Sequence, residues 1–165
     1  MPVLVQQKVD ASDFFNRSWA EYKAGFGDIS GNYWLGNDQL SQLTQTGRYK
    51  LRFDLQARNG SRYYAEYSSF VVLNEAYNYR LQLISGYSGD AGDALLNHDG
   101  TEFSTYDRDN DEYGYNCAKQ NGGGCWFIKC GNCNFNNDGG NGGVRFRWSL
   151  RHSLYLQSSR MWLTC

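Results

Sequence analysis

From Thr105 to Cys125 the chain reads TYDRDNDEYGYNCAKQNGGGC, with Asp107, Asp109 and Asp111 at alternate positions, then a tyrosine–glycine stretch and a cysteine. Carboxylates packed this closely repel one another, which costs stability unless a positive charge sits among them. In a turn, the two-residue spacing can converge their oxygens on one hard cation. An EF-hand does not fit. With these aspartates at loop positions 1, 3 and 5, that motif needs Gly at 6 and Glu at 12, where this chain has Glu112 and Ala118. Two readings stay open on spacing alone: a calcium loop of another type, completed by main-chain carbonyls, and a solvated acidic turn.

The cysteines offer a second chemistry. Cys117, Cys125, Cys130 and Cys133 cluster in loop-like sequence and Cys165 ends the chain. Local disulfides in an oxidising compartment are one reading. A structural zinc site is the rival, because Cys130-x-x-Cys133 has finger-like spacing, but Cys117 and Cys125 supply no matching C-x-x-C. The pairing of Cys125, Cys133 and Cys165 stays open. Hydrolytic chemistry is poorly supported. His98 and His152 lie far apart, and no nucleophile-elbow or zinc-protease motif accompanies either. His98, in NHDG, reads as a surface turn residue, and His152, beside Arg151, as a strand-face residue.

The elements that must position these residues are those of one domain. The chain has 165 residues and a net charge of −1, enough length for a real core and no excess charge to attract a nucleic acid. Thirteen Tyr, 5 Trp and 19 Gly against a single Pro favour short strands and tightly turning loops over a helical bundle. No apolar run is long enough to span a bilayer. The opening MPVLVQQKVD lacks the basic and apolar regions of a leader, and we expect it to be an artificial boundary. Sequons at Asn16-Arg-Ser18 and Asn59-Gly-Ser61 agree with secretion.

Val3 to Val9 reads as a strand. A helix is expected next, with Ser12 as N-cap, Phe15, Trp19 and Tyr22 on one face and Gly25 as its stop. YWLGNDQLSQL gives a short strand and a helix burying Leu40 and Leu43. Leu51, Phe53 and Leu55 alternate, Asn59-Gly60 predicts a type I′ turn, and Tyr63, Ala65 and Tyr67 alternate back. Tyr79, Leu81 and Leu83 repeat the pattern. From about residue 90 to 143 Gly, Asn and Asp dominate, a length of irregular chain that calls for function and for pinning by disulfides or ions. VRFRWSLRHSLYL resumes alternation and RMWL returns as a final strand. Trp19, Tyr22, Trp34, Phe53 and Trp148 are assigned to the core, as are Trp126 and Phe127.

DRDNDEYGYNCA resembles the calcium loop of fibrinogen-related domains, the C-terminal globes of fibrinogen, ficolins, tachylectins and angiopoietins. DFFNRSWAEYKAGFG, YWLGND, LRFDL, YAEYSSF, YRLQLISGYSGDAGDAL and FSTYDRDND agree in order, so the resemblance is nearly continuous from Val3 to Cys130. It implies an α+β fold: a fibrinogen C-terminal-like globe, with a twisted antiparallel sheet and short helices (about 3–89), a loop-rich calcium and recognition region (about 90–147) and a returning strand (148–165). It also implies a secreted, non-enzymatic recognition module, divergent and lacking the family's N-terminal subdomain. Asp109 and Asp111 match side-chain Ca²⁺ ligands, Tyr113 and Tyr115 match positions that give main-chain oxygens, and Asp107 lies outside the first shell. Cys117 and Cys130 match the family's disulfide beside this loop. The Lys129–Cys130 bond matches one that is typically cis and presents amides to a pocket for acetylated ligands. Gly131 holds the usual pocket position, Asn121 that of a tyrosine in one lectin-like class, and Tyr155 that of a late pocket aromatic. The expected partner is a carbohydrate or acetylated ligand on microbial surfaces, in innate immunity. The alternative is a protein receptor, as for angiopoietin-like globes, with homo-oligomers formed through segments outside this chain.

Overall fold

A computed structural model describes residues 2–140, 145–149 and 153–165, without the side chains of Leu83, Ser149 and Ser153. The reading of His152, the Leu83 side chain and part of the alternation after Val144 therefore lie outside the described residues.

An antiparallel sheet organises the chain. Its strands are β1 (Val3–Lys8), β2 (Phe26–Gly27), β3 (Tyr33–Trp34), β4 (Lys50–Ala57), β5 (Arg62–Val72), β6 (Leu81–Gly89), β7 (Arg147–Ser149) and β8 (Ser153–Thr164). The order is β2-β3-β1-β8-β4-β5-β6, with β7 pairing β8 off that path. The last strand in sequence is thus central, flanked by β1 and β4. β4 shows why the alternating residues form a strand: Leu51, Phe53, Leu55 and Ala57 are buried, while Arg52, Asp54 and Gln56 occupy the other face.

The turn joining β4 to β5 is not the expected type I′. Gly60 has φ +87°, but Asn59 does not share the left-handed region. Gly60 N donates to Ala57 O (2.9 Å), Ala57 N donates to Ser61 O (2.9 Å), and Asn59 Oδ1 accepts from Ser61 N (2.9 Å). This is a type I turn followed by a left-handed glycine, which the asparagine side chain stabilises by closing its own local ring.

The first helix also differs from expectation. α1 spans Trp19–Ala24, and Ser18, not Ser12, is its N-cap. Ser18 Oγ accepts from Glu21 N while Glu21 reaches back to Ser18 N, a reciprocal capping box. Gly25 (φ +94°) ends the helix as expected. Phe15 precedes the helix yet is fully buried, and its carbonyl accepts from the Tyr22 hydroxyl (2.6 Å). α2 (Asn37–Thr44) buries Leu40 and half-buries Leu43, and Thr44 Oγ1 ties it to β5 by accepting from Val72 N (3.0 Å).

The assigned aromatics are all buried, and they form linked sets. Tyr22 meets Trp34 and Phe103 at centroid distances of 5.5 and 5.3 Å, and Phe103 meets Trp126 at 5.2 Å. Phe53 joins Phe135 (5.0 Å) and Trp148 (4.8 Å). The loop-rich region therefore contributes Phe103, Trp126, Phe127 and Phe135 to one continuous core with the sheet. A buried lysine also lies inside. Lys8 Nζ donates to Ser12 O (2.7 Å) and lies 4.9 Å from the Phe146 ring centroid, and burial pulls its pKa down to about 8. Among the described residues no helix is long and apolar enough to cross a membrane.

Candidate functional site

The acidic loop begins where Ser104 and Cys125 exchange main-chain hydrogen bonds (2.9 and 3.2 Å). Asp107 does not face the other acids. Its Oδ1 accepts from Trp19 N (2.9 Å) and from Thr105 Oγ1 (2.7 Å), so it satisfies an otherwise orphan amide in the first turn of α1. Asn110 fixes the next turn, with its amide on Ser104 Oγ (2.9 Å) and its Nδ2 on Phe103 O (2.9 Å).

Asp109 and Asp111 are left together. Asp109 Oδ1 accepts from Asp111 N (3.2 Å), and Asp111 accepts from Tyr113 N through Oδ1 and from Cys117 N through Oδ2, both at 2.9 Å. Burial pushes the Asp111 carboxyl above its ordinary value; the Cys117 amide opposes this and the adjoining Asp109 adds to it. Among the described residues neither acid has a cationic partner, and no three His, Cys, Asp or Glu side chains converge. A calcium ion fits such a pair if main-chain oxygens and water complete its shell, because an ionised carboxylate keeps lone pairs beyond those the amides use. Tyr113 and Tyr115 follow on the exposed side, with ring centroids 5.6 Å apart.

Two disulfides pin what comes next. Cys117–Cys130 joins the start of helix α3 (Cys117–Asn121) to the far side of the loop, with Cα atoms 5.2 Å apart. Cys125–Cys133 forms as well (6.0 Å), leaving Cys165 free and exposed. These pairings rule against the zinc reading, since the four clustered sulfurs bond to one another. α3 lies in the stretch expected to be irregular, yet Asn116 is a good N-cap and its Oδ1 accepts from Lys119 N (3.0 Å).

The expected cis bond is absent: no described peptide bond is cis, Lys129–Cys130 included. The chain turns this corner through two successive left-handed residues, Cys130 (φ +58°) and Gly131 (φ +65°). Cys130 is held in that unfavourable region by its disulfide and by the structure behind it. That support is His98, which is buried and not a surface turn residue. Its Nδ1 lies 2.9 Å from Trp126 O and so carries the proton, while Nε2 accepts from Asn132 N (3.4 Å). A Cβ at Gly131 would meet the His98 ring at 3.2 Å, which matches a glycine at this position.

Burial holds the His98 pKa below its ordinary value, with the Trp126 carbonyl and Asp93 acting against this. The neutral ring is the folded form, so the unfolded chain binds the extra proton between the lowered value and about 6.5. Stability then rises with pH across that window and falls on acidification through it. Denaturant unfolding from pH 7.5 to 5 should show this slope, and His98→Gln should flatten it; an unchanged slope would contradict the buried assignment.

The structure brings together some of the expected site residues and separates others. Asp109, Asp111, Tyr113, Cys117 and Cys130 share the bridged corner. Lys129 and Gly131 are exposed beside it. Asn121 ends α3, and its carbonyl accepts from Asp138 N (3.1 Å). Tyr155 lies elsewhere, on β8 opposite Arg147, with its ring 5.3 Å from the Arg58 guanidinium. An aromatic the sequence reading passed over, Tyr106, is 40% exposed and lines a depression with Asn16 and Lys119 next to the acidic loop.

Residues 2–154 match the family described as fibrinogen beta and gamma chains, C-terminal globular domain. Angiopoietin-4 of Bos taurus is 46% identical over 134 residues, covering 81% of this chain and 27% of that protein. Techylectin-5A of Tachypleus tridentatus is 43% identical over 125 residues (76% and 42%), and human ficolin-3 is 42% identical over 134 residues (81% and 45%). The chain thus spans less than half the length of these relatives. Among solved structures, the fibrinogen-like globe domain of human ANGPTL2 superposes with a TM-score of 0.86 at 35% identity, over 99% of this chain and 79% of its own. Lamprey fibrin D-dimer, complexed with the peptide Gly-His-Arg-Pro-amide, gives 0.86 at 33% identity (97% and 60%). Sequence and fold agree, and the chain belongs to the fibrinogen C-terminal globular domain family.

Proposed function

We propose that this domain is an extracellular calcium-binding recognition module, lectin-like, and that it takes acetylated or other carbohydrate ligands at the corner bounded by Asp109–Tyr115 and Cys130. The observation that carries this reading is the coupling of the acidic pair to the bridge: Asp111 Oδ2 accepts from Cys117 N, and Glu112 N donates to Ile128 O (2.9 Å). A cation held by Asp109 and Asp111 would tighten a loop already fastened to both sides of the disulfide. Two carboxylates with main-chain oxygens and water correspond to affinities of about 10⁻⁴–10⁻³ M, suited to extracellular fluid. Two disulfides are consistent with an oxidising compartment. The lectin-like relatives, ficolin and techylectin, support a carbohydrate ligand, and the reading is non-enzymatic.

A second reading, a protein-binding globe, is favoured by the exposed Tyr106, Tyr113 and Tyr115, since aromatics beside a rigid corner make good interface anchors. The angiopoietin relatives and the peptide-bound lamprey structure point the same way. Retention on acetylated against non-acetylated resin, with calcium and with chelator, separates the two. The lectin reading expects calcium-dependent retention on the acetylated resin alone, eluted by free N-acetylated sugar. Equal retention on both resins removes it.

A further inference from the structure

The face of the sheet away from the core carries a groove of about 420 Å³, within the range of small-ligand sites and sharing no residue with the bridged corner. A strand irregularity lies there: β4 shifts register against β8 between Gln56 and Ala57, and the extra residue, Gln157, lines the groove. Such a bulge twists the strand and re-aims side chains. Across the groove the register sets Arg62, Gln56 and Ser158 in one row, and Asp54, Arg160 and Gln7 in the next.

Arg160 and Asp54 stand directly opposite each other, yet they do not pair. Asp54 turns to Arg52 (3.0 Å). Arg160 Nε donates to Gln7 Oε1 (2.8 Å), and Gln7 is itself fixed by its Nε2 on Ile29 O (3.0 Å) and Gly31 O (2.6 Å). The guanidinium is therefore oriented, while its two terminal nitrogens form a fork with no acceptor among the described residues. Arg62 is exposed and has no carboxylate partner among them either. A pre-oriented fork matches a carboxylate bidentately. Asp54, Gln56 and Ser158 between the arginines suit hydroxyl groups, and an acid on the floor disfavours a polyanion such as nucleic acid.

We propose that this groove is a second ligand site, independent of divalent cations, for an acidic saccharide whose carboxylate is clamped by Arg160 and Arg62. The test is titration calorimetry in chelator with digalacturonate, and with neutral galactobiose as control. Digalacturonate should bind saturably and more weakly as salt rises. Arg160→Gln should weaken it about tenfold or more, Arg62→Gln by less, and galactobiose should bind at least about tenfold more weakly than digalacturonate. Asp109→Asn, at the other site, should leave this binding unchanged, so failure of the calcium reading and failure of this one are distinguishable. Both arginines are exposed, and the fold of each variant is checked by circular dichroism. Absence of saturable binding, an affinity unchanged from the parent's in both arginine variants, or a requirement for calcium would overturn the proposal.

Discussion

Trp126→Ala should lower the free energy of unfolding by about 4–5 kcal/mol, a large part of what a domain of this size has. Trp126 is fully buried and meets Phe103 edge-on at 5.2 Å and Phe70 at 6.3 Å. Its Nε1 donates to Tyr79 O (2.8 Å), so truncation also leaves a buried carbonyl unpaired. Trp126→Phe, which keeps most of the ring, should cost about 1–2 kcal/mol, chiefly that hydrogen bond. Urea unfolding measures both. A loss below about 1 kcal/mol for the alanine variant would mean that the loop-rich region does not share the core of the sheet.

Asp109→Asn should act in opposite directions with and without calcium. In chelator it relieves the repulsion of two neighbouring carboxylates, so the variant should be as stable as the parent or slightly more so. With calcium the parent gains and the variant does not. At about 10 mM calcium and a Kd of 10⁻⁴–10⁻³ M, the gain is roughly 1.4–2.7 kcal/mol, or about 3–10 °C in Tm. Asp111→Ala is a harsher change, because Asp111 also accepts from two main-chain amides, and it should destabilise the protein even in chelator.

What was legible in the sequence is what depends on near neighbours. Leu51, Phe53 and Leu55 alternate because one face of β4 is buried, and that pattern needs no knowledge of its partner strands. Gly25 ends α1 for a reason contained in its own backbone. The start of α1 is not legible from apolar spacing, which runs back to Phe15 although the burial of that ring is tertiary; the Ser18–Glu21 box marks the true start. His98 is hidden from local pattern for a similar reason. NHDG has the composition of a surface turn, but its histidine is committed to Trp126, 28 residues away. Asp107 reaches 88 residues back to Trp19, a contact no local pattern encodes. Lys8 looks like an ordinary strand residue, and only the assembled core reveals that its ammonium is buried. At the site, the two acids and the Cys117–Cys130 bridge were recognised through family resemblance. The left-handed corner that replaces the cis bond, and the pairing of Cys125 with Cys133, depend on three-dimensional closure.

The central claim is that Asp109 and Asp111 together hold one hard cation. Its most direct test is calorimetric melting of the parent and Asp109→Asn side by side, in chelator and across millimolar calcium. The account predicts a saturable rise in Tm for the parent and a flat response for the variant. A parent Tm indifferent to calcium, or an equal rise in both proteins, would contradict it.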